Sequence, residues 1–298
     1  MGPRPPAVDP ALGAVKTYRY LRLALAALVV LLFAAIVLEW LATGRSCWQP
    51  SISAYYYTPV RAVLVGVLVT MGVCLIALKG STEPEDVLLN IAGMLAPGVA
   101  FVPTPGTGEC RSVPVDPGDV GANVANNMQA VFVTGLAVAA VVLLVARADA
   151  AGGTLGRWDR AGIAVTGLLL GGGAVWFYVD RDSFVEHAHA AAAVPMFLAL
   201  VVVVWLNARH VQETVREGLM PAAESRYVPV YRAIAVGMLV ALGATVAISL
   251  ATSSTSLVLW VEVVLISLFA TFWVVQTVEL WHRGLRRAAP VPEEEVRA

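Results

Sequence analysis

The 298-residue sequence predicts an all-α fold: a polytopic transmembrane helix bundle of eight spans with both termini cytoplasmic. Three observations predict it. Eight long apolar segments run from Tyr20 to His282. Charged residues make up only 14% of the chain and hydrophobic ones 58%, where a soluble domain carries about a quarter charged residues to cover its surface. Finally, basic residues fall on one side of the segments. With the N-terminus inside, 16 of the 20 Lys and Arg lie in inner flanks, and only Arg45, Arg61, Arg111 and Arg181 lie outside. The net charge of −1 hides this polarity, and no basic stripe beyond the inner-loop bias points to nucleic acid. The expected location is the cell membrane, multi-pass, with membrane lipids as partners.

A spanning helix needs about 20 apolar residues at a rise of about 1.5 Å each. The segments that meet or approach this are Leu21–Trp40, Val60–Leu78, Val87–Val102 and Ala125–Val145, then Ala161–Val179, His189–Leu206, Val230–Leu250 and Leu257–Trp281. The third is the shortest and contains Gly93, Pro97 and Gly98. Omitting it would invert every later loop and spoil the basic asymmetry, so it is retained. Residues 1–15 and 288–298, rich in Pro, Ala and Glu, read as disordered tails around one membrane domain at 16–287. The first apolar run has no convincing small-residue cleavage site and reads as a retained helix.

Small residues mark where helices approach in lipid. Gly167 and Gly171 in the fifth span, and Gly237, Ala241, Thr245 and Ser249 in the seventh, read as packing seams. Among three cysteines, Cys74 is mid-span. Cys47 and Cys110 lie in outer loops beside antiparallel neighbours, and thiols facing an oxidising compartment favour a disulfide; a metal pair or two free thiols is the competing reading.

Ionisable groups at membrane depth are functional candidates, and the outer side is richer in them. Glu39 ends the first span, Arg61 begins the second, and Glu262 lies about a turn and a half into the eighth, where a carboxylate needs a partner such as Arg61. His187 and His189 form an H-x-H pair at the sixth span, but on a regular helix they point about 200° apart, so no metal or other cofactor is assigned. His210 and His282 fall on the inner side, the latter three residues after Glu279 as an ordinary helical pair. Between Pro50 and Arg61 stand Ser51, Ser53, Tyr55, Tyr56, Tyr57 and Thr58. Hydroxyls at this density beside an arginine suit a phosphate or sugar headgroup. The expected ligand-binding set is therefore Glu39, Ser51, Ser53, Tyr55, Tyr56, Tyr57, Arg61, His189 and Glu262, with no catalytic residue assigned. Ser51 or Ser53 would act as a nucleophile only beside a base. On the inner side, Ser81–Asp86 reads as a helix start, with a hydroxyl cap, a proline and acids in the first turn.

The string Ser51-Ile-Ser-Ala-Tyr-Tyr-Tyr-Thr58, followed by Arg61, Gly66, Lys79-Gly80, Asp86, Ala92-Gly93 and Val99–Thr104, resembles a family of uncharacterised bacterial multi-pass membrane proteins. The similarity covers about a fifth of the chain, from Pro50 to Thr104, and carries no activity. A more distant likeness is to the CREST superfamily of alkaline ceramidases and adiponectin-type receptors. It would imply a seven-helix zinc site built from three histidines, a serine and an aspartate. This chain departs from that pattern in lacking a third histidine on the same side and in having eight apolar segments. The functional expectation is an outward-facing polar pocket that binds or processes an envelope lipid or its headgroup. A small-solute transporter or channel, and a non-catalytic scaffold, are the alternatives.

Overall fold

The computed structural model describes residues 10–45, 47–105, 117–148, 156–251 and 257–286. Every regular element among them is helical. We number the long helices α1 (Pro10–Ala42), α2 (Arg61–Ala77), α3 (Glu83–Phe101), α4 (Pro117–Ala148), α5 (Arg157–Val179), α6 (Arg181–Arg216), α7 (Tyr227–Ala251) and α8 (Leu257–Glu279). A 3₁₀ turn, Ser53–Tyr57, separates α1 from α2, and a second, Ala222–Arg226, precedes α7. Six of the eight helices are long and apolar enough to cross a membrane, which makes this an integral membrane protein by length and composition. The other two are α2, at 17 residues, and α3, which opens with Glu83, Glu85 and Asp86 in its first turn. At 1.5 Å per residue α2 is roughly 25 Å long, a few ångströms short of a typical hydrocarbon core.

Local chemistry sets the helix ends. α3 starts where the sequence signal lay, with Pro84 in the first turn and three acids at the positive end of the dipole. Asp180 caps α6 by accepting from the Ser183 backbone N–H at 3.1 Å. α1 begins at Pro10, inside the stretch expected to be a tail; residues 287–298 lie outside the described residues.

Helices α1, α2, α3, α6, α7 and α8 close into a ring, each packing on the next and α8 returning to α1. Most of its interior is apolar, with Leu25, Leu32, Met238, Phe272 and Trp273 almost wholly buried. α4 and α5 lie outside this ring against α3, and a smaller cluster around Phe132, Phe177 and Phe184 joins them to the start of α6. Leu136, Leu168, Val175 and Tyr178 on these two helices are exposed, and in a bilayer such faces meet acyl chains.

One close helix approach was not among the expected seams. α2 and α3 touch backbone to backbone: a Cβ on Gly93 would lie 2.6 Å from the Gly72 carbonyl oxygen, and one on Gly72 would lie 2.8 Å from the Gly93 carbonyl oxygen. Of the expected seams, Gly237 packs against Leu268 of α8 and Ala241 is buried, whereas Thr245 bonds back to the Ala241 carbonyl of its own helix and Ser249 is exposed. Gly167 and Gly171 face open space within the chain, on either side of the first residues of a π-helical turn at Leu168–Gly172.

The start of α1 and the end of α8 meet at one face. Beyond α8 the chain hooks back over Leu280–Arg286, with Gly284 at φ +69°, where a side chain would also press on Val15 and Tyr18. Arg22 of α1 donates to the Gly284 carbonyl at 2.6 Å, and Arg19 donates to that of Trp281 while lying over its ring. We call this the terminal face, and the opposite one, which carries the Ser53–Tyr57 turn, the turn face.

Candidate functional site

At the turn face the chain between α1 and α2 folds inward as a plug. Residues Ile52–Thr58 are buried, although five of the seven carry a hydroxyl. Burial at that density demands partners, because an unmade hydrogen bond in an apolar setting costs about 1–3 kcal/mol. The partners come from the turn itself and from three helices.

Ser51 Oγ accepts from the Ala54 backbone N–H at 3.1 Å and so caps the 3₁₀ turn. Glu262 Oε2 accepts from the Ile52 N–H at 2.7 Å, and one turn earlier in α8 the Leu259 N–H donates to the Pro50 carbonyl at 3.1 Å. Thr58 Oγ1 donates to the Tyr55 carbonyl at 2.8 Å. Beyond α3, the Thr104 N–H donates to Ser53 Oγ at 3.1 Å, and the Tyr57 hydroxyl donates to the Thr104 carbonyl at 3.1 Å. His189 of α6 donates from Nδ1 to the Val102 carbonyl at 2.8 Å, a contact that fixes its tautomer because a carbonyl only accepts. The Tyr55 hydroxyl meets the Gln49 backbone, with Glu39 the carboxylate whose charge reaches it; burial pushes the phenols of both Tyr55 and Tyr57 above their usual range. Trp48 stacks on Trp40 with ring centroids 4.7 Å apart and meets Trp260 edge-on at 5.3 Å, closing the rim.

The expected residues thus converge on one end of the bundle, but with different partners. The anticipated pairing of Arg61 with Glu262 does not form. Glu262 is taken by the Ile52 N–H, and Arg61 lies over the Tyr56 ring at 4.2 Å, donating to its hydroxyl at 2.7 Å. The physical reason is the plug, whose turn needs a cap at Ile52 from the helix packed against it. His187 turns instead to the Ser183 carbonyl of its own helix at 3.1 Å, away from the His189 contact. No base stands within hydrogen-bond reach of Ser51 or Ser53 among the described residues. Cys47 is half-buried near Trp48; Cys110, its expected disulfide partner, lies outside the described residues.

A second polar site, at the terminal face, was missed by the sequence reading. Arg22, Glu85, Asn207, His210, Gln276, Glu279 and Arg286 are gathered inside the ring from α1, α3, α6, α8 and the hook. Arg286 grips Glu279 through two parallel bonds, Nε to Oε1 and Nη2 to Oε2, each 2.8 Å. Its Nη1 donates to Asn207 Oδ1 at 2.6 Å, as does Gln276 Nε2. The Tyr231 hydroxyl donates to Glu279 as well. Burial alone would lower the Arg286 guanidinium, but the adjoining Glu279 carboxylate overrides this and holds it above the usual arginine range. Glu279 therefore pairs with Arg286 and Tyr231.

Beside this network, Arg22, Glu85, Trp273, Gln276 and the Lys79–Ser81 connection line a cavity of about 10 Å³, the size of one water. Glu85 Oε2 accepts from the Ser81 N–H at 2.7 Å, and its Oε1 stands 4.0 Å from His210 Nδ1. The signal for this site was spacing. Asn207, His210 and Thr214 lie at i, i+3 and i+7 on α6, and Gln276 and Glu279 at i and i+3 on α8, so each set shares one helix face.

Among the described residues no group of three or more His, Cys, Asp or Glu is placed to hold a metal ion. No family model matches the chain, and neither a curated protein nor a solved structure matches it significantly.

Proposed function

We propose that all eight helices cross the bilayer with both termini cytoplasmic, and that the protein binds an envelope lipid by its headgroup at the turn face, with Arg61 as the anchoring charge. The reading follows from one observation. Arg61 is a half-buried cation at the start of a short helix, and among the described residues it has an aromatic ring and one hydroxyl for company but no carboxylate. Glu262, the partner expected from the sequence, is committed to the Ile52 N–H. A short helix draws the headgroup layer inward, and a guanidinium there has donors left for a phosphate. The buried plug behind it holds Tyr56 in place and so presets the arginine.

Binding is favoured over chemistry because both serines accept from backbone N–H groups instead of facing a base. A transport route is the weaker reading. Between Glu262 and Gln276 of α8, roughly 21 Å of helix, the buried side chains are Leu265, Phe269, Phe272 and Trp273.

Photoactivatable phosphatidylglycerol in nanodiscs holding the full chain tests the proposal. Crosslinking should map to the peptide around Tyr56–Arg61 and fall about tenfold in Arg61→Gln, the loss expected for one charge-assisted contact of about 1.5 kcal/mol. Equal labelling of wild type and variant would remove Arg61 from the site.

A further inference from the structure

The terminal face carries a feature that neither polar cluster uses. A groove of about 480 Å³ opens between α6 and α7, lined by Trp205, Arg209, Gln212, Glu213, Arg216 and Arg232. All six side chains are exposed. Two of the arginines and Trp205 share one face of α6, at spacings of four and seven residues, and the third arginine comes from α7. Arg232 is fixed by donating to Gln212 Oε1 at 2.9 Å, which ties the two walls together. Glu213 is the carboxylate in the groove, so three cations stand against one anion.

The level of the groove is set by its own residues. The apolar run of α6 ends at Leu206 and the polar run begins at Asn207, which puts Trp205 at the hydrocarbon boundary and the arginines at headgroup level and beyond. An indole at the boundary with guanidinium groups past it is complementary to a lipid that has an acyl chain, a glycerol backbone and an anionic phosphate in that order. Arg209 and Arg216 stand seven residues apart, roughly 10 Å along the axis, so more than one phosphate oxygen or headgroup hydroxyl can be met at once.

The geometry points to a specific binding site for an anionic phospholipid in this groove, in the leaflet at the terminal face. The site is separate from Arg61, at the opposite end of the bundle, and does not depend on it. Because it is defined by level and not by topology, it holds for either orientation of the chain.

Native mass spectrometry of the full chain carrying Arg61→Gln, so that lipid held at the turn face is not counted, tests it by titration with phosphatidylglycerol or phosphatidylcholine in mild detergent. This parent should retain phosphatidylglycerol in preference to phosphatidylcholine, and the variants below are built on it. The triple variant R209Q/R216Q/R232Q should weaken that lipid about a hundredfold, each interfacial arginine contributing roughly fivefold. Arg157→Gln with Arg160→Gln, on exposed residues of the same face, should leave it unchanged. Glycerol phosphate, which has the charge without acyl chains, should not displace the lipid. Retention by the triple variant would overturn the proposal, and so would equal binding of phosphatidylcholine. Loss of equal size in the Arg157 and Arg160 variant would mean diffuse charge attraction, and displacement by glycerol phosphate would mean a soluble-anion site; either result also overturns it. A normal melting temperature for the triple variant, expected because all three side chains are exposed, keeps misfolding from imitating the result.

Discussion

Arg286→Gln is expected to destabilise the folded protein by about 3–5 kcal/mol, the largest effect of any single substitution at the polar sites. The cause is what remains behind. Glu279 is completely enclosed and keeps only the Tyr231 hydroxyl once both guanidinium bonds are lost, while Asn207 Oδ1 loses one of its two donors. An enclosed carboxylate without its cation is far worse than the pair, whose own desolvation cost nearly offsets its attraction. The double variant E279Q/R286Q should therefore be more stable than Arg286→Gln alone, because it removes the stranded charge. Thermal unfolding of the detergent-purified full chain measures both. Equal melting temperatures for wild type and Arg286→Gln would show that the network contributes nothing to the fold.

The second large effect belongs to the plug. Glu262→Leu strands the Ile52 N–H, whose acceptor is the Glu262 carboxylate, at a cost of about 1–3 kcal/mol. The consequence extends beyond stability, because the same bond, with the Leu259 N–H to Pro50 carbonyl bond, fastens the Ser53–Tyr57 turn to α8. Tyr55, Tyr56 and Tyr57 are buried in the folded chain, so loosening the turn should expose them to chymotrypsin. Cleavage after these tyrosines is expected to be fast in Glu262→Leu, slow in wild type and intermediate in Glu262→Gln, whose amide oxygen still accepts. Protection of the tyrosines in Glu262→Leu would mean that the turn is held by packing alone.

The all-helical class was legible because lipid as solvent leaves a coarse signature, long apolar runs with basic ends. The α3 start was legible for a different reason, since Pro84 and the acids around it act locally. Convergence of Glu39, the tyrosines, Arg61 and Glu262 on one end could be read from their positions at span ends. Their partners could not, since the Glu262 bond to Ile52 joins residues 210 apart and depends on a turn that folds inward. The terminal-face network was missed because its charges coincide with the basic flanks that orientation alone explains. Arg286 in particular sits in what reads as an ordinary post-helix basic cluster, and only the hook at Gly284 carries it back inside. The expected seams held only in part, Gly237 and Ala241 packing while Gly167 and Gly171 face open space, because a small residue marks where a neighbour is permitted; the α2–α3 contact at Gly72, Gly93 and Ala96 uses another stripe, Ala92, Ala96 and Ala100.

The central claim is that the terminal face is cytoplasmic and the turn face lies across the membrane, and single-cysteine labelling tests it most directly. In a background without the native thiols, cysteine is placed at Asp182, exposed at the start of α6, or at Ala223, exposed in the connection between α6 and α7. An impermeant maleimide applied to intact cells should label the cysteine at 182 and leave the one at 223 unlabelled until the membrane is opened. Labelling of 223 but not 182 would invert the protein and contradict the account, and equal labelling of both from outside would mean that α6 does not cross.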